Sequence, residues 1–206
     1  MVVIGAGGHA LEVLDILIQD NYRKNIYFYD DVNPDNVVFR GFQVFKSEIE
    51  LKTVFQNNFD FCLGIGNPKA RRALYERFKA IGGELQSIIS SKAILPQEKT
   101  SLIFDVMNLC YLGPETSIGL GTLLNTGSQI HHEVKIGQFT EISPRTLLLG
   151  KVQVGDNCSL GGNCTVLPKV KIGNNVTVGA GSVVTKDVPD GKTVVGVPAR
   201  IIEKKR

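Results

Sequence analysis

The chain is short of histidine, has no CxxC pair and carries almost no charge imbalance. Each shortage excludes something. The histidines are His9, His131 and His132 alone, so a histidine-built metal centre would have to use all three. Without CxxC, a zinc site of that spacing has no basis. The 23 Lys and Arg against 20 Asp and Glu leave a net charge of +3, and no stretch is dense enough in Lys or Arg to bind a nucleic acid. Hydrophobic residues make up 43% of the chain, yet no run among them reads as a membrane span or secretory leader. Met1-Val2-Val3-Ile4 lacks a basic n-region and runs straight into Gly5, so it reads as a strand. Of four cysteines, Cys62 falls in an apolar strand and Cys110, Cys158 and Cys164 fall in a repeat. They read as buried free thiols in a reducing cytoplasm. Glu203-Lys204-Lys205-Arg206 reads as a solvated tail.

What the chain has is a period of six. An aliphatic residue recurs without a break at Val106, Leu112, Ile118, Leu124, Ile130, Ile136, Ile142, Leu148, Val154, Leu160, Val166, Ile172, Val178 and Val184. Four residues after each, as far as Ser182, stands a small or β-branched residue such as Cys110, Thr122, Ser128, Thr140 or Cys158. Neither the helical period of 3.6 nor the strand period of 2 accounts for this. A coil of three short flat faces, one hexapeptide per face, does. The aliphatic residue fills the coil interior, and stacked coils bury one continuous core. The expected fold is therefore an all-β parallel β-helix over 91–206.

Residues 1–90 follow a different pattern. Short apolar strands at 2–4, 26–29 and 59–65 alternate with helices at 11–18 and 69–81, the second capped by Gly82-Gly83, and 84–89 is a candidate last strand. Strand and helix in alternation predict a small parallel, Rossmann-like α/β domain. Gly5-Ala6-Gly7-Gly8-His9 joins the first strand to the first helix and lets backbone N–H groups approach an anion at the helix N-terminus. Gly5, Gly7 and Ala10 also match the dinucleotide fingerprint, with Asp30 about 20 residues on. The domain is too short for a second mononucleotide half, so a mononucleotide or nucleotide-sugar fits better than NAD. Asp30 and Asp31, at a strand end, suit a base or ribose, or are simply turn residues.

His131 and His132 fall together in the middle of the repeat, followed by Glu133. Ile130 points inward, which puts the three polar residues on the next turn, near the surface. A carboxylate beside a histidine holds one tautomer and raises basicity, which suits a general base. A zinc site fails on direction, because adjacent histidines diverge and His9 belongs to the other domain. Cys158 and Cys164 have no basic neighbour in sequence to make them nucleophiles.

With these motifs in view, the chain resembles the hexapeptide acyltransferases with a left-handed β-helix. Within them it is most similar to the sialic acid O-acetyltransferases and bacterial UDP-4-amino-sugar N-acetyltransferases. The markers are Gly5 to His9, Asp30-Asp31, Gly64-Ile65-Gly66-Asn67, Asn125-Thr126-Gly127, His132-Glu133, the segment from Val178 to Pro189, and Val195 to Arg200. The resemblance implies a homotrimer with sites between neighbouring β-helices, acetyl-CoA as donor, a nucleotide-linked amino sugar as acceptor, and no metal. It assigns His132 as general base, supported by Glu133. It places Gly7, Gly8 and His9 on the phosphates or sugar, Asp30 and Asp31 on the base, and Gly66 and Asn67 on the acceptor. Asn125, Gly150, Gly162 and Ala180 fall to acetyl-CoA, the last three along the pantetheine arm, with Lys186 or Lys192 for its phosphates. Some relatives have a second histidine near the thioester, nine residues after the base; here that position is Glu141. A sugar hydroxyl as acceptor, or a non-catalytic nucleotide-sugar-binding role, remain the other readings.

Overall fold

A computed structural model describes residues 1–22, 24–33, 35, 37–96 and 103–202. The tail at 203–206 lies outside them. The chain divides into two compact units, one of residues 1–66 and 70–88, the other of 67–69 and 89–206.

In the first unit, β1 (Val2–Ile4), β2 (Tyr27–Tyr29), β3 (Val38–Phe39), β4 (Phe42–Phe45), β5 (Phe59–Leu63) and β6 (Gly83–Leu85) form one sheet in the order β3-β4-β2-β1-β5-β6. All pairs are parallel except β3 with β4. The helices are α1 (Gly8–Gln19), α2 (Glu48–Phe55) and α3 (Pro68–Ala80). Ile4, Tyr29, Phe45, Leu51, Phe61, Leu63 and Phe78 make the core on one side of the sheet. The expected all-parallel sheet is corrected at one edge, where β3 and β4 form a hairpin. That hairpin and α2 went unread in the sequence, although α2 opens on the Ser-x-x-Glu pattern of a helix start. Ser47 Oγ accepts from the Glu50 N–H at 3.3 Å, and Glu50 Oε2 accepts from the Lys46 N–H at 2.9 Å. The predicted strand 84–89 shortens to Gly83–Leu85, and Ile89 pairs instead with Val106.

The second unit is a left-handed parallel β-helix. Its coils run through three sheets in turn. The first face stacks Asp105–Val106, Leu123–Leu124, Glu141–Ile142, Ser159–Leu160, Thr177–Val178 and Thr193–Val195. The second stacks Tyr111–Leu112, Gln129–Ile130, Leu147–Leu148, Thr165–Val166 and Val183–Val184. The third stacks Ser117–Ile118, Lys135–Ile136, Gln153–Val154 and Lys171–Ile172. Ile130 pairs with Leu148, Leu148 with Val166 and Val166 with Val184, so residues 18 apart lie one above another.

The period of six is the cause of this shape. Every residue of the aliphatic series is buried except the half-buried Ile118, and every residue of the small series except Thr116. The small side chains also tie coil to coil. Thr122 Oγ1 donates to Gly137 O at 2.7 Å, Thr140 Oγ1 to Gly155 O at 2.8 Å, and Cys158 Sγ to Gly173 O at 3.0 Å. All four cysteines are buried free thiols. Burial pushes the Cys158 and Cys164 thiols up to about 11, so neither is a ready nucleophile.

Candidate active site

Two groups of predicted residues acquire geometry, one in each unit. In the first unit, Gly7, Gly8, His9, Asp30, Asp31 and Gly66 line one cleft of about 440 Å3, together with Tyr29, Asn33, Gly64 and Leu74. Asn67 does not line it and falls in the other unit. The floor depends on close approach between strands. Gly5 has φ +112°, its N–H donates to Tyr29 O at 2.8 Å, and a Cβ there would meet Gly64 O at 2.9 Å. Gly7 and Gly8 differ from Gly5. Neither has positive φ, and a Cβ on either would meet nothing within 4 Å. No backbone or packing demand of the chain calls for glycine there; the two open α1 toward the cleft. Gly7 caps α1 without a side-chain bond and no acidic residue stands in the first turn, so the helix end favours an anion. His9 Nδ1 lies 3.0 Å from Glu12 Oε2, and its Nε2 is buried without a hydrogen-bond partner.

The two aspartates are engaged within the chain. Asp30 Oδ1 accepts from the Val32 N–H at 3.0 Å and Oδ2 from Asn33 Nδ2 at 2.9 Å, while Lys46 Nζ donates to Asp30 O at 2.9 Å. Asp30 therefore shapes the turn at the cleft wall. Asp31 Oδ2 accepts from Arg77 Nη1 at 2.8 Å and from the Tyr29 hydroxyl at 3.1 Å. Arg77 also donates to Tyr29 Oη at 2.8 Å and to Glu48 Oε1 at 2.6 Å. Burial pushes the Asp31 carboxyl up, but the bonds from Arg77 and Tyr29 outweigh it and hold it below the ordinary range. Burial, with Asp31 beside it, pushes the Tyr29 hydroxyl up to about 12. Sequence reading missed Tyr29, Glu48 and Arg77; nothing local in the sequence marks an ion pair between residues 46 positions apart.

In the β-helix, His132 and Glu133 occupy the corner between the second and third faces. His132 Nδ1 lies 3.2 Å from Glu133 Oε1, and Glu133 Oε2 lies 3.2 Å from Lys151 Nζ. The three side chains are 55%, 40% and 51% exposed, so the His132 ring is open to solvent. The Lys151 hydrogen bond, ahead of the one to His132, holds the Glu133 carboxyl below its usual value. His131 turns the other way, its ring edge-on to Tyr111 with centroids 5.9 Å apart. Glu141 accepts from Ser143 Oγ at 2.7 Å and Ser159 Oγ at 3.0 Å. It acts there as an acceptor, as its chemistry requires.

The residues expected to meet acetyl-CoA divide between two edges. Gly150 and Lys186 follow the second face, in line with His132 at 18-residue steps. Asn125, Gly162 and Ala180 follow the first face, on which Glu141 itself sits. The two edges belong to different faces of the coil. Lys186, Lys192 and Ala180 are exposed. Among the described residues no group of three or more His, Cys, Asp or Glu could hold a metal, and no helix is long and apolar enough to cross a membrane.

A hexapeptide coil carrying a histidine–carboxylate pair, joined in one chain to an α/β unit with a glycine-lined cleft, defines a transferase of the β-helix class. Comparison with known proteins agrees. Residues 1–78 match the family described as the PglD N-terminal domain, and residues 151–186 match the bacterial transferase hexapeptide, six repeats. One chain thus joins a match to the PglD N-terminal domain with a match to the transferase hexapeptide repeat. It is similar to PerB from Caulobacter crescentus, solved with CoA and GDP-perosamine, at 28% identity and a TM-score of 0.87 over 98% of this chain and 96% of that one. The acetyltransferase domain of PglB from Neisseria gonorrhoeae, solved with acetyl coenzyme A, is 29% identical with a TM-score of 0.83 over 98% of each chain. WeeI from Acinetobacter baumannii, at 20% identity and a TM-score of 0.59 over 98% of this chain and 100% of that one, shares the fold.

Proposed function

We propose that the protein transfers the acetyl group of acetyl-CoA to the amino group of a nucleotide-linked amino sugar. The carrying observation is the His132 Nδ1–Glu133 Oε1 contact of 3.2 Å on an exposed β-helix corner. With Nδ1–H donated to the carboxylate, Nε2 is left unprotonated and ready to accept a proton. The acceptor nitrogen attacks the thioester carbonyl and loses its proton to His132 Nε2. The C–S bond then breaks, and the sulfur takes that proton to leave as the thiol. A backbone N–H beside the base stabilises the oxyanion in passing.

The first unit's cleft holds the acceptor. Gly7 and Gly8 bring the N-terminus of α1 against its phosphates, His9 Nε2 offers an unused polar atom, and the turn from Asp30 to Asn33 meets the base. The two similar proteins solved with CoA compounds support the donor, and the GDP-perosamine bound to PerB supports the acceptor class. The split of acetyl-CoA residues between two edges supports a homotrimer in which each site draws one edge from each of two copies. His132, Gly150 and Lys186 come from one copy, and Asn125, Glu141, Gly162 and Ala180 from the next.

The test is thiol release from acetyl-CoA with a panel of UDP-, GDP- and dTDP-linked 4-amino sugars, with free and CMP-linked sialic acid alongside. Rapid CoA release with one amino sugar is expected. His132→Ala should lower that rate by about 10²- to 10⁴-fold and leave the melting curve in place, since its side chain is more than half exposed. Release only with sialic acid would make the enzyme an O-acetyltransferase. Near-normal turnover by His132→Ala would remove the base assignment.

A further inference from the structure

The coil after the base carries Gly150-Lys151, stacked on His132-Glu133 at the same corner. Three contacts join the two dipeptides. Lys151 N–H donates to His132 O at 3.1 Å. Lys151 Nζ reaches Glu133 Oε2 at 3.2 Å. The third contact is a matter of space: a Cβ on Gly150 would stand 2.4 Å from both Cε1 and Nε2 of His132, nearer than any real Cβ approaches. The Cε1–Nε2 edge of the His132 ring therefore occupies the space that a side chain at Gly150 would need.

The column explains why this glycine stands apart. Two coils before Gly150 and one coil after it, the same corner position holds Pro114 and Pro168. Proline fixes φ near −65°, so this corner position suits ordinary L residues. Gly150 has no positive φ. Backbone conformation does not call for glycine at 150, whereas the ring above it does. The next column reads Glu115, Glu133, Lys151, Lys169, all in the left-handed region with φ between +58° and +65°. Its charge changes sign between Glu133 and Lys151. Only there does an acid of one coil meet a base of the next in opposite charge, and that acid is the one beside His132.

We propose that Gly150 and Lys151 are positioning residues for the base: Gly150 gives the His132 ring its seat, and Lys151 pins Glu133 so that Glu133 holds the ring's Nδ1–H. This rests on the reading of His132 as general base. Lys151 acts through Glu133 and His132, and Gly150, which also follows the acetyl-CoA edge, acts on the base through the His132 ring.

The experiment is nitrogen NMR of the histidine rings in the full-length protein, paired with thiol-release kinetics. With three histidines, His132 is assigned by its loss in His132→Ala. The wild type is expected to show His132 with Nδ1 protonated and Nε2 bare at neutral pH. In Lys151→Met the two tautomers should mix, and kcat should fall about two- to fivefold, the range for an exposed ion pair, with both KM values kept. Lys151→Arg should restore the wild-type tautomer. Gly150→Ala, whose backbone fits an L residue, should displace the ring and lower kcat by roughly a hundredfold, as a displacement of about 1 Å does, while the melting curve holds. A His132 tautomer and kcat unchanged in both Lys151→Met and Gly150→Ala would overturn the proposal. Tautomer changes in an enzyme whose His132→Ala variant still turns over would leave the positioning contacts standing and refute the base reading instead.

Discussion

One cluster at the scale of single residues depends on partners far away in sequence, and its members respond to pH in different ways. Tyr29, Asp31, Arg77 and Glu48 form one network that ties β2 to α2 and α3. The Tyr29 hydroxyl, raised to about 12 in the fold, titrates near 10 in the unfolded chain. A proton held more tightly by the fold stabilises it fully below pH 10, and that support is lost as pH rises from about 10 to about 12. It amounts to at most roughly 3 kcal/mol. Alkaline unfolding followed by circular dichroism should therefore steepen across that window in the wild type and flatten in Tyr29→Phe. An equal slope in both would mean the network does not hold the hydroxyl protonated. Asp31 behaves in the opposite sense: its depressed pKa supports the fold above its unfolded value and is lost in acid. The sequence showed Asp31 as a strand-end acid beside a glycine cleft, but Arg77, which fixes its carboxylate, could not be read from spacing.

At the scale of elements, the period of six specified the β-helix almost residue by residue, because one side chain in six must enter a narrow coil interior. The exception, Ile118, sits on the first coil of the third face and is only half buried. Ile142, by contrast, is fully buried with coils on both sides. Ile142→Ala should cost about 2–5 kcal/mol, and Ile118→Ala roughly half as much, since the cost follows the buried apolar volume removed and the cavity it leaves. Denaturant titration with unchanged slope would check the pair; equal losses would mean the first coil is packed as tightly as the middle ones. The α/β unit was less legible. Its three buried strands and α1 announce themselves by apolar runs and α3 by its Gly82-Gly83 stop, whereas β3 and α2 are short and β4 follows β3 through a tight turn. The site followed the same division. His132-Glu133 stood out as a histidine–acid pair within a strict repeat, while Lys151, and the contact of Gly150 with the His132 ring, are invisible until the 18-residue stacking is known.

At the scale of the whole molecule, the division of the acetyl-CoA residues between two edges of the coil makes a demand on assembly. If each site forms between copies, an intact His132 edge from one chain must meet an intact Gly162 edge from another. Gly162 follows the first face and leaves the Pro144 carbonyl 3.3 Å from where its Cβ would be, so Gly162→Trp obstructs that edge. Each single variant, His132→Ala or Gly162→Trp, should be nearly inactive alone. Co-expressed in equal amounts, they should recover roughly a quarter of the wild-type rate, because a random ring pairs the two good edges at about one interface in four. Mixing the purified single variants without dissociation should recover nothing, which separates subunit exchange from residual activity. No recovery on co-expression, with mixed trimers demonstrated by native mass spectrometry, would place both edges of a site within one chain and remove the inter-subunit arrangement. Recovery near a quarter would locate the acetyl donor between two copies and give the trimer a chemical function, since a lone β-helix would then carry two half-sites and no complete one.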